Sequence, residues 1–529
     1  MNQTYDVIII GGGATGAGIA RDCSLRGIKA LLLERSDIST GATGRNHGLL
    51  HSGARYAVTD HESAVECIRE NMILRRIAAH CVEETDGLFI TLPEDGLDYQ
   101  ARFVEACRKA GIRADVLDPE EARRLEPAAN PALIGAVRVP DGAVDPFRLT
   151  SSNILDATAH GAEIRTYTEV RELIREQDRI VGVKAYDHRT HAEVEFRAQV
   201  VVNAGGIWGH GIAAKAGITV NMLPAKGALL IFGHRVNRMV LNRCRKPANA
   251  DILVPGDTIS LIGTTSSHVG FDEVDDMRVT PDEVDLLLEE GCKLAPSLAS
   301  TRILRAYAGV RPLVASDDDP TGRNISRGIV LLDHETRDGV PGLITITGGK
   351  LMTYRLMAEW TTDLVCRKLR IDKACSTADR PLPGSREAGQ PASRPRKSAL
   401  QRHGELASHI ASADNGDNSL VCECEDVSVG EVNYALGELN VTDLIDLRRR
   451  TRVGMGTCQG ELCACRAAGL LAGAHNCAKE AKRDLAALLN ERWKGIYPVA
   501  WGDTLRESEF TQWVYAGVCD MHLTEEEAS

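Results

Sequence analysis

Tyr5-Asp6-Val7-Ile8-Ile9-Ile10-Gly11-Gly12-Gly13-Ala14-Thr15-Gly16 decides the fold of this chain. A run of strand-forming residues passes directly into a glycine turn, and the segment from Ala17 to Arg26 that follows has the spacing of an amphipathic helix. Strand, glycine turn and helix in that order make a dinucleotide fingerprint. Gly11 allows the tight turn, Gly13 lets the backbone approach a pyrophosphate, and Gly16 lets helix and strand pack closely, with the phosphates at the helix N-terminus. A second strand, Lys29 to Leu33, ends in Glu34, eighteen residues past Gly16. A carboxylate there is placed to accept hydrogen bonds from both ribose hydroxyls.

NAD and FAD share this fingerprint, and two later segments tilt the choice toward FAD. Ser39 to Gly48 is a long polar glycine loop, carrying Thr43 and Gly44, suited to wrapping a pyrophosphate and leading toward a flavin ring. Val201 to Trp208 is a later strand ending in small residues, Ala204 and Gly205, where the sheet edge packs close to a dinucleotide. Short β-branched runs alternate with helical periodicity from Tyr5 onward, which predicts an α/β fold with a largely parallel, doubly covered sheet and no internal repeat.

A chain of 529 residues, 43% hydrophobic, has room for more than one domain. Its net charge of -12 argues against nucleic acid as a partner. Fifteen cysteines are spread along the chain and the N-terminus lacks a secretory signal pattern, so a reducing cytoplasm is expected. The longest apolar stretches have strand length, so any membrane contact is expected to be peripheral or made through a partner. Pro381 to Lys397 and Ser412 to Asn418 are rich in small and polar residues and read as a linker.

Beyond the linker lies Cys422-x-Cys424, thirty-three residues, then Cys458-x4-Cys463. Two close thiol pairs brought together by folding fit zinc or a [2Fe–2S] cluster, and the single-residue gap between Cys422 and Cys424 is atypical of zinc. Glycines in Gly454 to Gly460 let backbone N–H groups reach the sulfurs. Cys465, two residues past Cys463, is an alternative fourth ligand. The remaining ten cysteines, Cys23 and Cys366 among them, have no ligand spacing and read as buried thiols. A helical, charged tail follows, containing Asn490 to Trp493 and Glu509 to Trp513.

At His51-Ser52-Gly53-Ala54-Arg55-Tyr56 and Thr347-Gly348-Gly349-Lys350-Leu351-Met352-Thr353-Tyr354-Arg355 the sequence resembles the FAD-dependent glycerol-3-phosphate dehydrogenases. Tyr307-Ala308-Gly309-Val310-Arg311-Pro312-Leu313 is similar to a third motif of that family. The cysteine unit resembles the bacterioferritin-associated ferredoxin-like domain, in which such cysteines hold a [2Fe–2S] cluster. That narrows the resemblance to the large catalytic chains of the anaerobic type. The sequence departs from the aerobic relatives at Asn46-His47-Gly48-Leu49-Leu50, where they usually carry a Ser-Ser-Lys-Leu-Ile-type stretch, so their flavin contacts do not transfer to Asn46 and His47.

The resemblance implies oxidation of sn-glycerol 3-phosphate to dihydroxyacetone phosphate at FAD. Electrons then leave through a [2Fe–2S] cluster and partner subunits, one of them membrane-associated, to a quinone. It implies Arg55, Tyr56, Arg311, Arg327 and Lys350 as substrate-binding, and His51, Arg311 and Lys350 as catalytic. Gly348, Gly349, Lys350 and Leu351 join the cofactor set, and Cys422, Cys424, Cys458 and Cys463 are the cluster ligands. A phosphate dianion calls for fixed guanidinium donors, and removing a hydroxyl proton while hydride leaves for the flavin calls for a base near neutral pKa. His51 fits that task; a structural place beside the flavin is its other reading. The glycine pair before Lys350 opens an apolar helical pattern, Leu351, Tyr354, Leu356, Met357 and Trp360, whose N-terminus would favour an anionic flavin.

The expected architecture is a Rossmann-type FAD-binding domain with an interleaved α+β substrate domain, plus a small C-terminal iron–sulfur domain. Residues 1–380 form the oxidoreductase, with the flavin core about 1–90, 145–215 and 335–370; 381–418 is linker, 419–475 the cluster domain and 476–529 the tail. A flavin amino-acid oxidase shares the fold but needs no set of phosphate-binding arginines. A noncatalytic iron–sulfur flavoprotein is opposed by the complete set of cationic and His motifs.

Overall fold

The computed structural model describes residues 3–314, 328–385, 397–410, 418–518 and 521. Strand Gln3–Ile10 lies at the centre of the first sheet, parallel to Ala30–Leu33 on one side and to the second half of Ala192–Asn203 on the other. Glu163–Arg165 and Leu343–Gly348 extend the parallel core outward. Ile329–Asp333 adds an antiparallel edge. The first half of Ala192–Asn203 continues into an antiparallel meander with Arg179–Asp187 and Thr168–Glu176.

Alternation along the strands sends successive side chains to opposite faces, and both faces are covered, which is why the strands read as unbroken apolar runs. Val7, Ile9, Leu32, Val200 and Val202 pack under helices Ala14–Leu25 and Tyr354–Leu369 through Ile19, Cys23, Met357 and Val365. Ile8, Ile10, Leu31, Leu33 and Val201 face the other layer with Ile207, Ala213 and Val310. Each fully buried Leu or Ile contributes roughly 1.5–3 kcal/mol. Trp360 does not join the buried face of its helix and is 38% exposed.

Among the described residues, the second sheet has nine strands. Met222–Phe232 and Ile303–Val314 form its long antiparallel pair, placing Ala225 opposite Arg311. Gly87–Thr91 belongs to this sheet, between Val240–Arg243 and Gly135–Val139, so the end of the segment expected in the flavin core crosses to the second layer.

The C-terminal unit has its own core, including Val421, Val432, Leu444, Leu447, Ala467 and Leu471. Part of the stretch expected to be linker is built into it. Lys397–His403 and Ala407–Ile410 are helical, and Ala399, Ala407 and Ile410 are core residues. Their anchor is Glu431: Arg402 donates to both of its carboxylate oxygens at 2.7 Å, and His403 Nε2 lies 2.8 Å away. Burial alone would raise the Glu431 carboxyl; Arg402 and His403 hold it down at about 2.

This unit is clamped onto both sheets. Asp37, in the loop after Glu34, is 1% exposed and takes hydrogen bonds from Arg450 at 2.5 and 3.0 Å and from Arg449 at 2.8 Å. Tyr167 Oη donates to Asp446 at 2.7 Å. On the other side Thr258 Oγ1 donates to Glu425 at 2.7 Å, and Thr504 Oγ1 to the Ile303 carbonyl at 2.5 Å. Helix Ala478–Ile496 crosses Ile303–Val314 so closely that a Cβ at Gly495 would lie 2.7 Å from the Ala306 carbonyl oxygen. Among the described residues, no helix is long and apolar enough to cross a membrane.

The Asp37 clamp is testable. Asp37→Ala leaves the Arg450 guanidinium buried without its carboxylate, a loss of about 3–5 kcal/mol. Calorimetry should show the unfolding transition of the C-terminal unit moving to lower temperature; an unshifted transition would show that the pair does not hold the unit in place.

Candidate active site

The strands Gln3–Ile10, Ala30–Leu33 and Ala192–Asn203 end at one level, and their tips form the floor of a cleft of about 1250 Å³. Two glycines are dictated by backbone geometry. Gly11 has φ +116°, and a Cβ on it would lie 2.6 Å from the Ala204 carbonyl oxygen. A Cβ on Gly16 would lie 1.9 Å from the Gly11 carbonyl oxygen, so only hydrogen lets the helix cross the turn. Helix Ala14–Leu25 starts at Gly13 with no side-chain cap, leaving its first N–H groups facing the cleft. Ala14 N–H donates to Thr43 Oγ1 at 3.1 Å, tying the loop 39–48 to the helix start.

Glu34 stands at the tip of the second strand. Its carboxylate accepts from Gly12 N–H at 2.6 Å and from Ser36 N–H at 2.9 Å, while burial pushes its pKa up. Gly348 and Gly349 have φ of +75° and +66°, and the short turn Leu351–Thr353 then opens helix Tyr354–Leu369, whose N-terminus faces the cleft. All the cofactor positions predicted from sequence line the cleft except Gly16, which lies beneath it, and Gly44, which lies on the other side of its loop.

The cleft fits FAD on three counts. Its volume exceeds the ~300–1000 Å³ of ordinary small-ligand pockets. It runs from an acidic strand tip past a helix N-terminus to a cationic end. Thr347 Oγ1, on its wall, is buried with no hydrogen-bond partner among the described residues.

At the cationic end the structure brings together His51, Arg55, Tyr56, Arg311 and Lys350. His51 is 6% exposed, with its ring 5.4 Å from that of Tyr56, and Lys350 Nζ lies 4.6 Å above the Tyr56 ring. Ser52, in the same motif, is held by Asp141, whose Oδ1 accepts from its N–H and its Oγ at 2.7 Å each; burial raises that carboxyl to about 6. Arg55 donates to the Ala248 carbonyl at 3.0 Å and to Asp251 at 3.3 Å, and its Nη1 is buried with no hydrogen-bond partner among the described residues. Arg311 donates to Thr264 Oγ1 and to the Thr265 carbonyl at 3.1 Å. Gly227 makes room for it, since a Cβ there would lie 2.6 Å from Arg311 Nη2. Arg327 lies outside the described residues.

Sequence reasoning left His47 unassigned and did not find Asp141, Asp251, Thr264 or Thr265. His47 lies on the cleft wall, its ring 6.2 Å from that of His51. Leu49 N–H donates to its Nδ1 at 3.3 Å, which puts the proton of the neutral ring on Nε2. Burial, then Arg311 and Arg55, hold its pKa down at about 3, so the ring is neutral at physiological pH.

In the C-terminal unit Cys422, Cys424, Cys458 and Cys463 lie near enough to act on one another's ionisation, Cys463 on both Cys422 and Cys458. Cys463 is the first residue of helix Cys463–His475. Backbone N–H groups of Glu425 and Gly454 point at Cys422, and those of Gly460 and Glu461 at Cys458. The Cys463 thiol, the largest influence on Cys458, helps bring it down to about 5. Gly456 is needed here, because its Cβ would lie 2.5 Å from that of Cys424. Among the described residues, no set of three or more His, Cys, Asp or Glu side chains converges on a single-ion site. Four sulfurs in a shell of N–H donors are the donor set of a [2Fe–2S] cluster. Of the other thiols, Cys292, Cys375 and Cys477 are half-buried rather than buried.

A family model described as FAD dependent oxidoreductase matches residues 6–355, and one described as BFD-like [2Fe–2S] binding domain matches residues 420–472. The chain is 64% identical to the A subunit of the anaerobic glycerol-3-phosphate dehydrogenase of Haemophilus influenzae, over 98% of this chain and 93% of the relative. It is 64% identical to the corresponding Escherichia coli chain, over 100% of this chain and 99% of the relative. The glycerol-3-phosphate dehydrogenase of Bacillus halodurans, solved with FAD, superposes with a TM-score of 0.71 at 24% identity over 94% of this chain and 97% of that one, a likeness of fold. The chain therefore belongs to the FAD-dependent oxidoreductases and, within them, to the family of anaerobic glycerol-3-phosphate dehydrogenase A subunits with a C-terminal [2Fe–2S]-binding domain.

Proposed function

We propose that this chain oxidises sn-glycerol 3-phosphate to dihydroxyacetone phosphate and passes the electrons through a [2Fe–2S] cluster to partner subunits. One of these is membrane-associated and delivers them to a quinone. The chain itself is cytoplasmic and reaches the membrane through that partner. The observation that carries this reading is the cationic end of the cleft, which Arg55, Arg311 and Lys350 line together with His51 and His47. An amino-acid substrate would need one such cation for its carboxylate; a phosphate dianion uses several.

FAD, when bound in the cleft, supplies the hydride acceptor, and a [2Fe–2S] cluster on Cys422, Cys424, Cys458 and Cys463 supplies a one-electron carrier. The protein's part is to bind, orient and deprotonate. Arg311 and Arg55 bind the phosphate with guanidinium groups held in place by Thr264, Thr265 and Asp251, so little side-chain freedom is lost when the dianion arrives. Lys350, parked over Tyr56, directs its ammonium to the substrate oxygens. The two histidines divide the remaining work. His47 has its Nδ1 occupied and its Nε2 protonated, so it donates a hydrogen bond to the substrate. His51 is left as the base that takes the hydroxyl proton.

Anaerobic addition of glycerol 3-phosphate to the purified holoenzyme should bleach the flavin absorbance, and glycine should not; a flavin that stays oxidised with glycerol 3-phosphate contradicts the reading. In the same assay Arg311→Ala should retain its flavin while KM rises about 10- to 100-fold, the worth of a hydrogen bond to a charged group. Cys463→Ser should lose the visible cluster absorbance while Cys465→Ser keeps it, and the reverse result would assign the fourth ligand to Cys465.

A further inference from the structure

A second cavity, of about 680 Å³, lies between the loop 39–48, the strand Ile303–Val314 and the cluster unit. Among the described residues, it shares only Thr40, Arg45, Asn46 and His47 with the cofactor cleft. The hydrogen bond from Tyr307 Oη to the Asn46 carbonyl, at 2.7 Å, stands on the boundary between the two. Cys424 also lines the second cavity.

Most arginines on this wall have carboxylate partners. Arg148 faces Asp145 and Asp257, Arg452 faces Glu425 and Asp257, Arg449 faces Asp37, Arg402 faces Glu431, and Arg235 faces Glu83. Arg45, Arg305 and Arg448 form no ion pair among the described residues. Arg448 is 6% exposed, and its Nε and Nη1 are buried with no hydrogen-bond partner among those residues, as is Nε of Arg305. Glu491, also on the wall, is near enough to act on all three but closes no ion pair with any of them. Asp426 accepts instead from Ser398 Oγ at 2.5 Å.

We infer that Arg45, Arg305 and Arg448 form a second anion site that binds a small phosphate-bearing organic molecule between the flavin loop and the cluster domain. Guanidinium nitrogens buried without a hydrogen bond or a closed ion pair, as on Arg305 and Arg448, are costly, and a phosphate takes forked N–H pairs in the geometry they present. Burial, then the neighbouring Arg305 and Arg449, hold Arg448 well below its ordinary range, the condition an anion relieves. The volume is that of a site for a molecule rather than a bare ion. Phe147, Tyr307, Ile259 and Met455 supply apolar wall for an organic body. A ligand here touches the His47 loop and the Cys424 loop at once, so its occupancy links the substrate end of the cleft to the cluster.

Equilibrium dialysis of the flavin- and cluster-loaded chain against labelled inorganic phosphate tests the site. Arg448→Gln and Arg305→Gln should each lower the phosphate bound per chain by one equivalent with flavin and cluster absorbance retained. The substrate cleft also binds phosphate if the proposed function is right, so the loss should persist in an Arg311→Ala background. A site lost with Arg448→Gln but untouched by Arg311→Ala supports this inference even where the substrate reading fails. Unchanged stoichiometry in both Gln variants overturns it. Should those variants fail to load their cofactors, Arg311→Ala combined with Arg55→Ala, which removes both guanidinium groups of the cleft, decides: one phosphate remaining supports the site, and none remaining overturns it.

Discussion

Three parallel strands that stop at the same level impose the geometry on which everything else depends. Gln3–Ile10, Ala30–Leu33 and Ala192–Asn203 are in register, so Gly11, Glu34 and Ala204 meet at one edge of the sheet. The turn at Gly11 and the helix at Gly16 approach to a distance that admits no Cβ. Larger residues would push the helix start away from the strand tips, and with it Ala14 N–H, its bond to Thr43 and the path of the loop 39–48. That loop is the hinge of the molecule's logic. One side of it lines the cofactor cleft, the other the arginine-rich cavity, and Asp37 just before it is the anchor of the cluster unit.

Electrostatics divides the molecule more sharply than its net charge of -12 suggests. Carboxylates outnumber cations along the chain, yet the substrate end of the cleft collects Arg55, Arg311 and Lys350. Burial first, and then the same field that attracts a phosphate, keep His47 neutral, because a protonated imidazole away from water and beside two guanidinium groups is doubly disfavoured. One arrangement of charge thus sets both the binding and the proton inventory of the site. At the other end of the circuit, backbone N–H groups from the glycine-rich loop stabilise thiolates without adding a formal charge.

How much was legible in the sequence follows from how local each feature is. The strand, the glycine turn, Glu34 and the helix after Lys350 are set by spacings of a few residues, and the structure places them where the pattern puts them. The paired thiols were equally readable, but the choice between Cys463 and Cys465 depends on which face of a helix start meets Cys422 and Cys458, a matter of folding rather than spacing. Arg311 could be named by resemblance, yet Thr264, Thr265 and Asp251, which hold the two arginines, come from distant segments with no motif of their own. The Asp37–Arg450 pair joins residues 413 apart, beyond the reach of any periodicity. The segment 397–410 falls within the linker bounds because it lies between two stretches rich in small and polar residues, and it is the buried Arg402–Glu431 pair that makes it part of a core.

One chain holds both ends of an electron path, with the flavin cleft and the four-thiol shell clamped together through Asp37 and Glu425. The most direct measurement of that path is electron paramagnetic resonance of the isolated holo-chain, frozen after anaerobic addition of glycerol 3-phosphate and without its partners. The expected result is the signal of a reduced [2Fe–2S] cluster appearing as the flavin is reduced. A flavin fully bleached by substrate beside a cluster that stays silent, yet is reduced by dithionite, would contradict it.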